Sequence, residues 1–286
     1  MSPPPARACP ACGHQRARFA FDTAGFVHVR CVHCDTLFVA ELPPPDQVEA
    51  TYLAPDYHST AEGQEQRMRA EADARARVLR KFGCHDVLEI GCGPGHFLDA
   101  VRELGMRVEG VDRARTAAAA RARGHTIHDC WLQDLAPVAA RFDAVAMWEV
   151  IEHVPDPKAM LMSARQWLRP GGFLALSTPS SSGVPARALG ARFPMVCPPD
   201  HLALFSRRGL TTLLAAARFD PVRWTSFSGL GREQLRRGFQ RFGLGNSLPG
   251  RALARGLAVA AELPVQLMDR AGLGSAFEVY AVAARD

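Results

Sequence analysis

Long apolar runs are missing from the sequence. A membrane-crossing helix needs about 20 such residues in a row, so no membrane span is expected. The first residues, MSPPPARACPACGH, have no apolar h-region. They do not read as a secretory signal, and a cytoplasmic protein is expected. Charged residues are slightly scarce at 22%, and tyrosine occurs only three times. The net charge of +5 permits an anionic substrate or RNA without demanding either. A disulfide framework is absent too. Of eight cysteines, four form two tight pairs, while Cys84, Cys92, Cys130 and Cys197 are scattered. A reducing compartment leaves such thiols unbridged. At 286 residues the chain is long enough for a full core and an accessory module.

The paired cysteines are Cys9-x-x-Cys12 and Cys31-x-x-Cys34, separated by 18 residues. Each knuckle turns two sulfurs inward, and zinc takes four thiolates in a tetrahedron. Between them FAFDTAGFVHVRC predicts a hairpin with its turn at Asp22–Gly25. Residues 1–42 therefore read as a zinc ribbon, closed and structural. A module this small needs its metal, because burial alone does not hold it. Residues 43–82 read as a linker and leading helix: Leu42-Pro43-Pro44-Pro45 is a stiff boundary, and 62–81 is rich in Ala, Arg and Glu. Tyr52 and Tyr57 lie in the linker. They suit either a cover over a ligand pocket or a joint between ribbon and core.

From residue 83 to 286, short apolar runs alternate with helical stretches: DVLEI, MRVEGV, HTIHD, FDAVAMW and GFLALST, each followed by a helical segment, QDLAPVAA included. This βα alternation predicts an α/β domain with a largely parallel sheet. VRWTSFS and FEVYAVAA bring the strands to seven, with an insertion of roughly 45 residues between them. In such sheets ligands sit beyond the carboxyl ends of the strands. The first strand ends in Glu89-Ile90-Gly91-Cys92-Gly93-Pro94-Gly95, where glycine permits a tight turn and close approach of a ligand. The second ends at Asp112-Arg113, an acid suited to ribose hydroxyls. A dinucleotide fingerprint would want a small residue at position 96, which is His96. The GxGxG spacing fits a ligand without a pyrophosphate.

VLEIGCGPGHFL, GVD at 110–112, FDAVAMWEVIEHVPDP and LRPGGFLALSTP together resemble the successive motifs of class I S-adenosylmethionine (SAM) methyltransferases. The resemblance covers about 83–228 and a final strand at 276–284. It implies a seven-stranded Rossmann-like sheet with the last strand antiparallel, and SAM as cofactor. It also implies that Glu89, Gly91, Gly93 and Gly95 line the methionine portion of SAM. Asp112 would hold the ribose, with Arg113 a further cofactor-binding residue, Asp134 and Leu135 would flank the adenine, and Trp148 would stand beside the sulfonium.

Glu149, Glu152 and His153 follow the fourth strand at i, i+3, i+4 spacing, which puts them on one face if the segment is helical. Asp156-Pro157 reads as the N-cap and first position of the next helix. The ExxEH pattern resembles ubiquinone-pathway O-methyltransferases and small-RNA 2′-O-methyltransferases that hold a divalent metal. His201, after the fifth strand, would complete such a site for Mg2+, Mn2+ or Fe2+. The competing reading is that of bacterial small-molecule and sugar-pathway methyltransferases, where the histidine, or nothing, acts as base. His14 and His125 read as surface or ribbon residues.

The fourth strand ends in MWEV, without an NPPY-type run or a Pro-Cys nucleophile, which disfavours base methylation of those two kinds. The expected acceptor is a small molecule or glycan precursor, most readily at oxygen. Residues 229–274 would form a helical lid. Its Arg232, Arg236, Arg237 and Arg241 imply an anionic acceptor only if they bind it. RNA is the alternative, with the ribbon and arginines tracking phosphates. An inactive scaffold is a third.

Overall fold

The structure, a computed structural model, describes residues 7–54, 64–135, 140–228 and 262–284. The N-terminal module opens with strands β1 (Ala17–Thr23) and β2 (Phe26–Cys31). Ala24 and Gly25 join them at φ 49° and 80°. Two left-handed residues give the turn whose twist matches a hairpin. β3 (Leu37–Val39) follows, then helices α1 (Pro45–Leu53) and α2 (Gln64–Lys81).

The remainder alternates strand and helix: β4 (Asp86–Ile90), α3 (His96–Glu103), β5 (Arg107–Val111), α4 (Ala117–Ala122) and β6 (Thr126–His128). Next come β7 (Phe142–Trp148), α5 (Pro157–Gln166), β8 (Leu168–Pro179), α6 (Val184–Leu189) and β9 (Ala203–Leu204). The described chain ends with α7 (Arg207–Ala216), β10 (Phe219–Phe227) and β11 (Ala276–Ala283). Asp156 caps α5 as expected, its side chain accepting from the Ala159 N–H at 3.0 Å.

Seven strands form one sheet in the order β10-β11-β8-β7-β4-β5-β6. β4 to β8 pair in parallel, and β11 is antiparallel to both β8 and β10. Every residue of β4 is buried, as a strand covered on both faces requires. The chain leaves β4 for β5 on one side and reaches β7 on the other. That reversal opens a crevice at the strands' carboxyl ends. Of QDLAPVAA, the described residues at its start belong to a tight turn rather than an α-helix. Leu132–Asp134 makes a single 3-10 turn, and residues 136–139 lie outside the described residues. Within the expected lid, 229–261 also lie outside them, including Arg232, Arg236, Arg237 and Arg241, while 262–270 are helical. Tyr57 is likewise outside.

The cysteine module and the large sheet share one core. β9 adds to β3 antiparallel, pairing Leu37 with Leu204 and Phe38 with Ala203. Cys9, Cys31, Cys34 and Phe38 pack in the same buried cluster as Ile90, Met147, Ile151 and Phe205. The proline-rich boundary at 42–45 is therefore a boundary of composition with no break in packing. Among the described residues, no helix is long and apolar enough to cross a membrane.

Candidate active site

A cavity of about 670 Å³ opens at the switch point. Its inner wall holds Ile90, Gly91, Val111, Asp112 and Arg113, the residues at and just after the ends of β4 and β5. Gly91, Gly93 and Gly95 take φ of 71°, 46° and 82°, the left-handed region that glycine enters at no steric cost. The loop also packs tightly. A Cβ on Gly91 would lie 2.6 Å from Val150, and one on Gly95 2.6 Å from Ala120. Asp112 braces this turn, Oδ2 accepting from Gly93 N–H and Oδ1 from Ala114 N–H, each at 2.6 Å. These bonds fix the carboxylate beside the glycine loop, at the cavity wall. Beneath the loop, Glu89 is 3% exposed, with no hydrogen-bond partner for Oε2 among the described residues. Burial first, and the Asp112 charge second, hold its carboxyl well above the usual carboxylate range, with Arg75 opposing.

The opposite wall was only partly legible. Leu42 to Pro45, Val48, Glu49 and Tyr52 line the cavity. Arg113 donates to Glu49 Oε1 at 2.6 Å and lies over Trp131. Tyr52 stands edge-on to Trp131 at 5.4 Å and to His153 at 5.8 Å. Of the two roles left open for Tyr52, the structure shows contact with the cavity. After β6 the lining residues are Cys130, Trp131, Leu132 and Gln133. Asp134 and Leu135 are not among them: the tight turn exposes Asp134 and sends Leu135 against the core. Trp148 lies outside the lining too. It packs against Phe97 and Tyr280, with the Arg75 guanidinium 4.4 Å from its ring.

The shared face expected for Glu149, Glu152 and His153 does not form as one helical turn. Glu149 leaves β7 at φ 54°, and only Ile151–His153 makes a 3-10 turn. Glu149 is not in the close group that the other two join. Glu152, His153 and His201 instead bring one ligand atom each within 4.8 Å of one another. His153 is the member that lines the cavity. Its Nδ1 donates to the Asp200 carbonyl and lies 2.9 Å from Asp200 Oδ1. Burial opposes charge on this imidazole, but Asp200 and Glu152 outweigh it and raise the pKa to about 9. Glu152 is fully buried, Oε2 accepting from Thr178 at 3.0 Å while Oε1 has no partner among the described residues. Desolvation, then Glu149, push its carboxyl well above the usual range. His201 Nδ1 donates to Met195 O at 2.7 Å, and its ring meets that of His153 edge-on at 4.7 Å.

Asp200 escaped sequence reasoning because PPDH reads as an ordinary turn. Its distance of 47 positions from His153 leaves no periodic trace. His125 is a correction. It is buried, its Nε2 2.7 Å from Asp99 Oδ1, because the turn after α4 packs it against α3 rather than leaving it in solvent.

At the far end, the four thiols of Cys9, Cys12, Cys31 and Cys34 converge. Cys9 and Cys34 sulfurs are 3.5 Å apart, Cys12 and Cys31 sulfurs 3.6 Å. The two knuckles are built alike: Gly13 N–H donates to Cys9 O, and Asp35 N–H to Cys31 O. Both Gly13 and Asp35 are left-handed.

The strand order, with β11 antiparallel, is the class I Rossmann-like methyltransferase fold. A family model described as a methyltransferase domain matches residues 55–223, and the chain belongs to that family. It is 39% identical over 116 residues to the ubiquinone biosynthesis O-methyltransferase of Cereibacter sphaeroides (strain ATCC 17025 / ATH 2.4.3), covering 38% of this chain and 47% of that protein. It is 39% identical over 101 residues to the protein of that name from Xanthomonas campestris pv. campestris (strain B100), covering 32% and 42%. The chain thus spans less than half the length of these curated relatives. Among solved structures, the 1,6-didemethyltoxoflavin-N1-methyltransferase of Burkholderia thailandensis aligns with a TM-score of 0.54 at 18% identity, over 94% of this chain and 100% of that one. A SAM-dependent methyltransferase from Archaeoglobus fulgidus aligns at 0.51 and 17% identity, over 75% and 94%. Likeness at this identity concerns the fold alone.

Proposed function

We propose that the chain transfers a methyl group from SAM to an oxygen of a small organic acceptor. One observation carries the reading. A single cavity has the glycine loop and Asp112 on one wall and His153, beneath Tyr52, on the other. Its volume falls within the range of about 300–1,000 Å³ usual for small-ligand sites. Glu89, Gly91 and Gly93 would hold the amino-acid end of SAM, and the orphaned Glu89 oxygen suits an ammonium group. Asp112 would take the ribose hydroxyls. Trp131 and Leu132 would flank the base, the place the sequence assigned to Asp134 and Leu135. SAM supplies an electrophilic methyl, and alignment and exclusion of water do most of the protein's part.

His153 is the titratable group on the acceptor side of the cavity. With Nδ1 held by Asp200 and a pKa of about 9, it would take the acceptor's proton only in its neutral form, so transfer should rise with pH toward that value. Leu42, Pro43, Val150, Val154 and Met160 give the acceptor side an apolar wall, which favours a compact, largely apolar hydroxyl compound. The curated O-methyltransferase relatives support oxygen as the acceptor atom.

The test is methyl transfer from SAM to a panel of catechols, phenols and sugar hydroxyls, read by mass spectrometry. Gain of one methyl on a hydroxyl compound, abolished in His153→Asn, is expected. Transfer to none of them together with methylation of RNA would overturn the reading.

The histidine cluster also fits a divalent cation, a second reading favoured by the orphaned Glu152 Oε1 and the closeness of Glu152, His153 and His201. Such an ion would supply Lewis-acid polarisation of an acceptor hydroxyl. Loss of transfer on chelation, restored by Mg2+, Mn2+ or Fe2+ with zinc retained, would decide for it.

The four cysteines fit structural zinc. Thiolates around a tetrahedral ion with Zn–S of about 2.3 Å stand about 3.8 Å apart, close to the spacing of the two sulfur pairs.

A further inference from the structure

Arg7 joins three segments that meet nowhere in sequence. Its guanidinium donates from Nε to Val39 O at 3.2 Å, from Nη1 to Pro155 O at 3.1 Å and from Nη2 to Leu202 O at 3.5 Å. Val39 ends β3. Pro155 stands two residues after His153, and Leu202 directly follows His201. The Arg7 backbone is itself fixed, its N–H donating to Ala40 O at 3.0 Å. Burial lowers the guanidinium pKa to about 10, with Cys9 and Asp156 opposing, so it stays charged at neutral pH.

Backbone bonds already link the segments it binds. Val39 N–H donates to Leu202 O at 3.1 Å, and Leu202 N–H donates to Glu152 O at 2.8 Å. The histidine-bearing loops are thus held to each other by this bond and by His153 Nδ1 to Asp200 O, and to the cysteine module through β3. Arg7 spans all three. A guanidinium is a rigid fork of five donors, and no other side chain can reach three carbonyls in one plane this way. Lysine would offer one compact ammonium on a flexible stem.

We propose that Arg7 is a positioning residue for methyl transfer: it sets the place of His153 at the cavity, and of His201 beside it, by clamping their loops to the end of β3. The inference rests on the reading of that cavity as the transfer site. It gives the cysteine module a definite task, since Arg7 lies two residues before Cys9 and inherits its place from the thiol cluster.

The test uses the full chain as wild type, Arg7→Lys, Arg7→Ala and the exposed control Arg18→Ala. Three quantities are measured: affinity for S-adenosylhomocysteine, amide hydrogen exchange, and kcat and KM with catechol as probe acceptor across pH. A misplacement near 1 Å costs about 100-fold in rate. Arg7→Ala is therefore expected to lose about 100-fold in kcat with altered pH dependence, while S-adenosylhomocysteine affinity stays within about twofold. Exchange should quicken at Val39 and Leu202 and not in β4 or β5. Arg7→Lys should fall between, and Arg18→Ala should match wild type. A folded Arg7 variant with wild-type kcat, pH profile and exchange would overturn the inference. So would a fall in kcat matched by equal loss of S-adenosylhomocysteine affinity. If Arg7→Ala does not fold, Arg7→Lys decides by the same criteria. A wild type that binds no S-adenosylhomocysteine would instead sink the reading of the cavity, and exchange at Val39 and Leu202 would then judge the clamp alone.

Discussion

Replacing Gly91 by alanine probes the wall of the cavity directly. The new Cβ would sit 2.6 Å from Val150 Cγ2, about 1 Å inside the optimal separation of two carbons. Overpacking of that kind costs about 1–3 kcal/mol. The backbone adds a second cost, because φ is 71° and a left-handed alanine is disfavoured by about 1–2 kcal/mol. Together Gly91→Ala should lose about 2–5 kcal/mol of stability. Val150→Ala alone, which removes two buried carbons, should lose about 1–2 kcal/mol. In the double variant the methyl has room, so the losses should fall short of their sum by at least about 1 kcal/mol. Urea denaturation of the four proteins measures this coupling. Both residues line the cavity, so Gly91→Ala should also weaken S-adenosylhomocysteine binding by about tenfold or more, read by calorimetry. Additivity within about 0.5 kcal/mol would refute the claim that the glycine loop is held against the segment after β7.

Other outcomes follow from the same geometry. Asp112→Ala removes two charge-assisted bonds, each worth about 1.5–3 kcal/mol, together with the proposed ribose contact. S-adenosylhomocysteine affinity should drop about 10–100-fold by calorimetry, and unchanged affinity would count against the assignment. His153 has a folded-state pKa raised from 6.5 to about 9. Its charged form therefore adds stability that is fully present below about pH 6.5 and is lost as pH rises through about 9. Melting temperature should fall across that window in wild type, and Asp200→Asn should abolish this component; parallel pH curves for the two would refute the pairing. Elemental analysis should find one zinc per chain. Stripping it should lower a single melting transition of the whole chain rather than create an early one, because Cys9, Cys31 and Cys34 share a core with β4 and β7.

The α/β fold was legible because its signals are local. Apolar runs of strand length, the glycines after β4, the two CxxC knuckles and the Asp156-Pro157 helix start each act over a few residues. The site was legible where it follows a strand directly, as at Gly91 and Asp112. It was not where a turn decides direction. Glu149 looked helical by spacing, yet the strand ends in a left-handed kink. After β6 a 3-10 turn brings Trp131 and Leu132, and not Asp134 and Leu135, to the cavity. Tyr52, Asp200 and Arg7 act through contacts 79, 47 and 148 positions away. Spacing carries no record of such pairs.

The two-residue strand at 203–204 has a consequence for anyone trimming or recombining this protein. Cutting away everything before residue 83 would strip that segment of its neighbour and bare backbone donors and acceptors beside a buried phenylalanine. Such edges recruit other chains. A shortened clone should therefore come out of cells as aggregate, and a graft from a relative should carry the cysteine module and the HLALF segment as one piece.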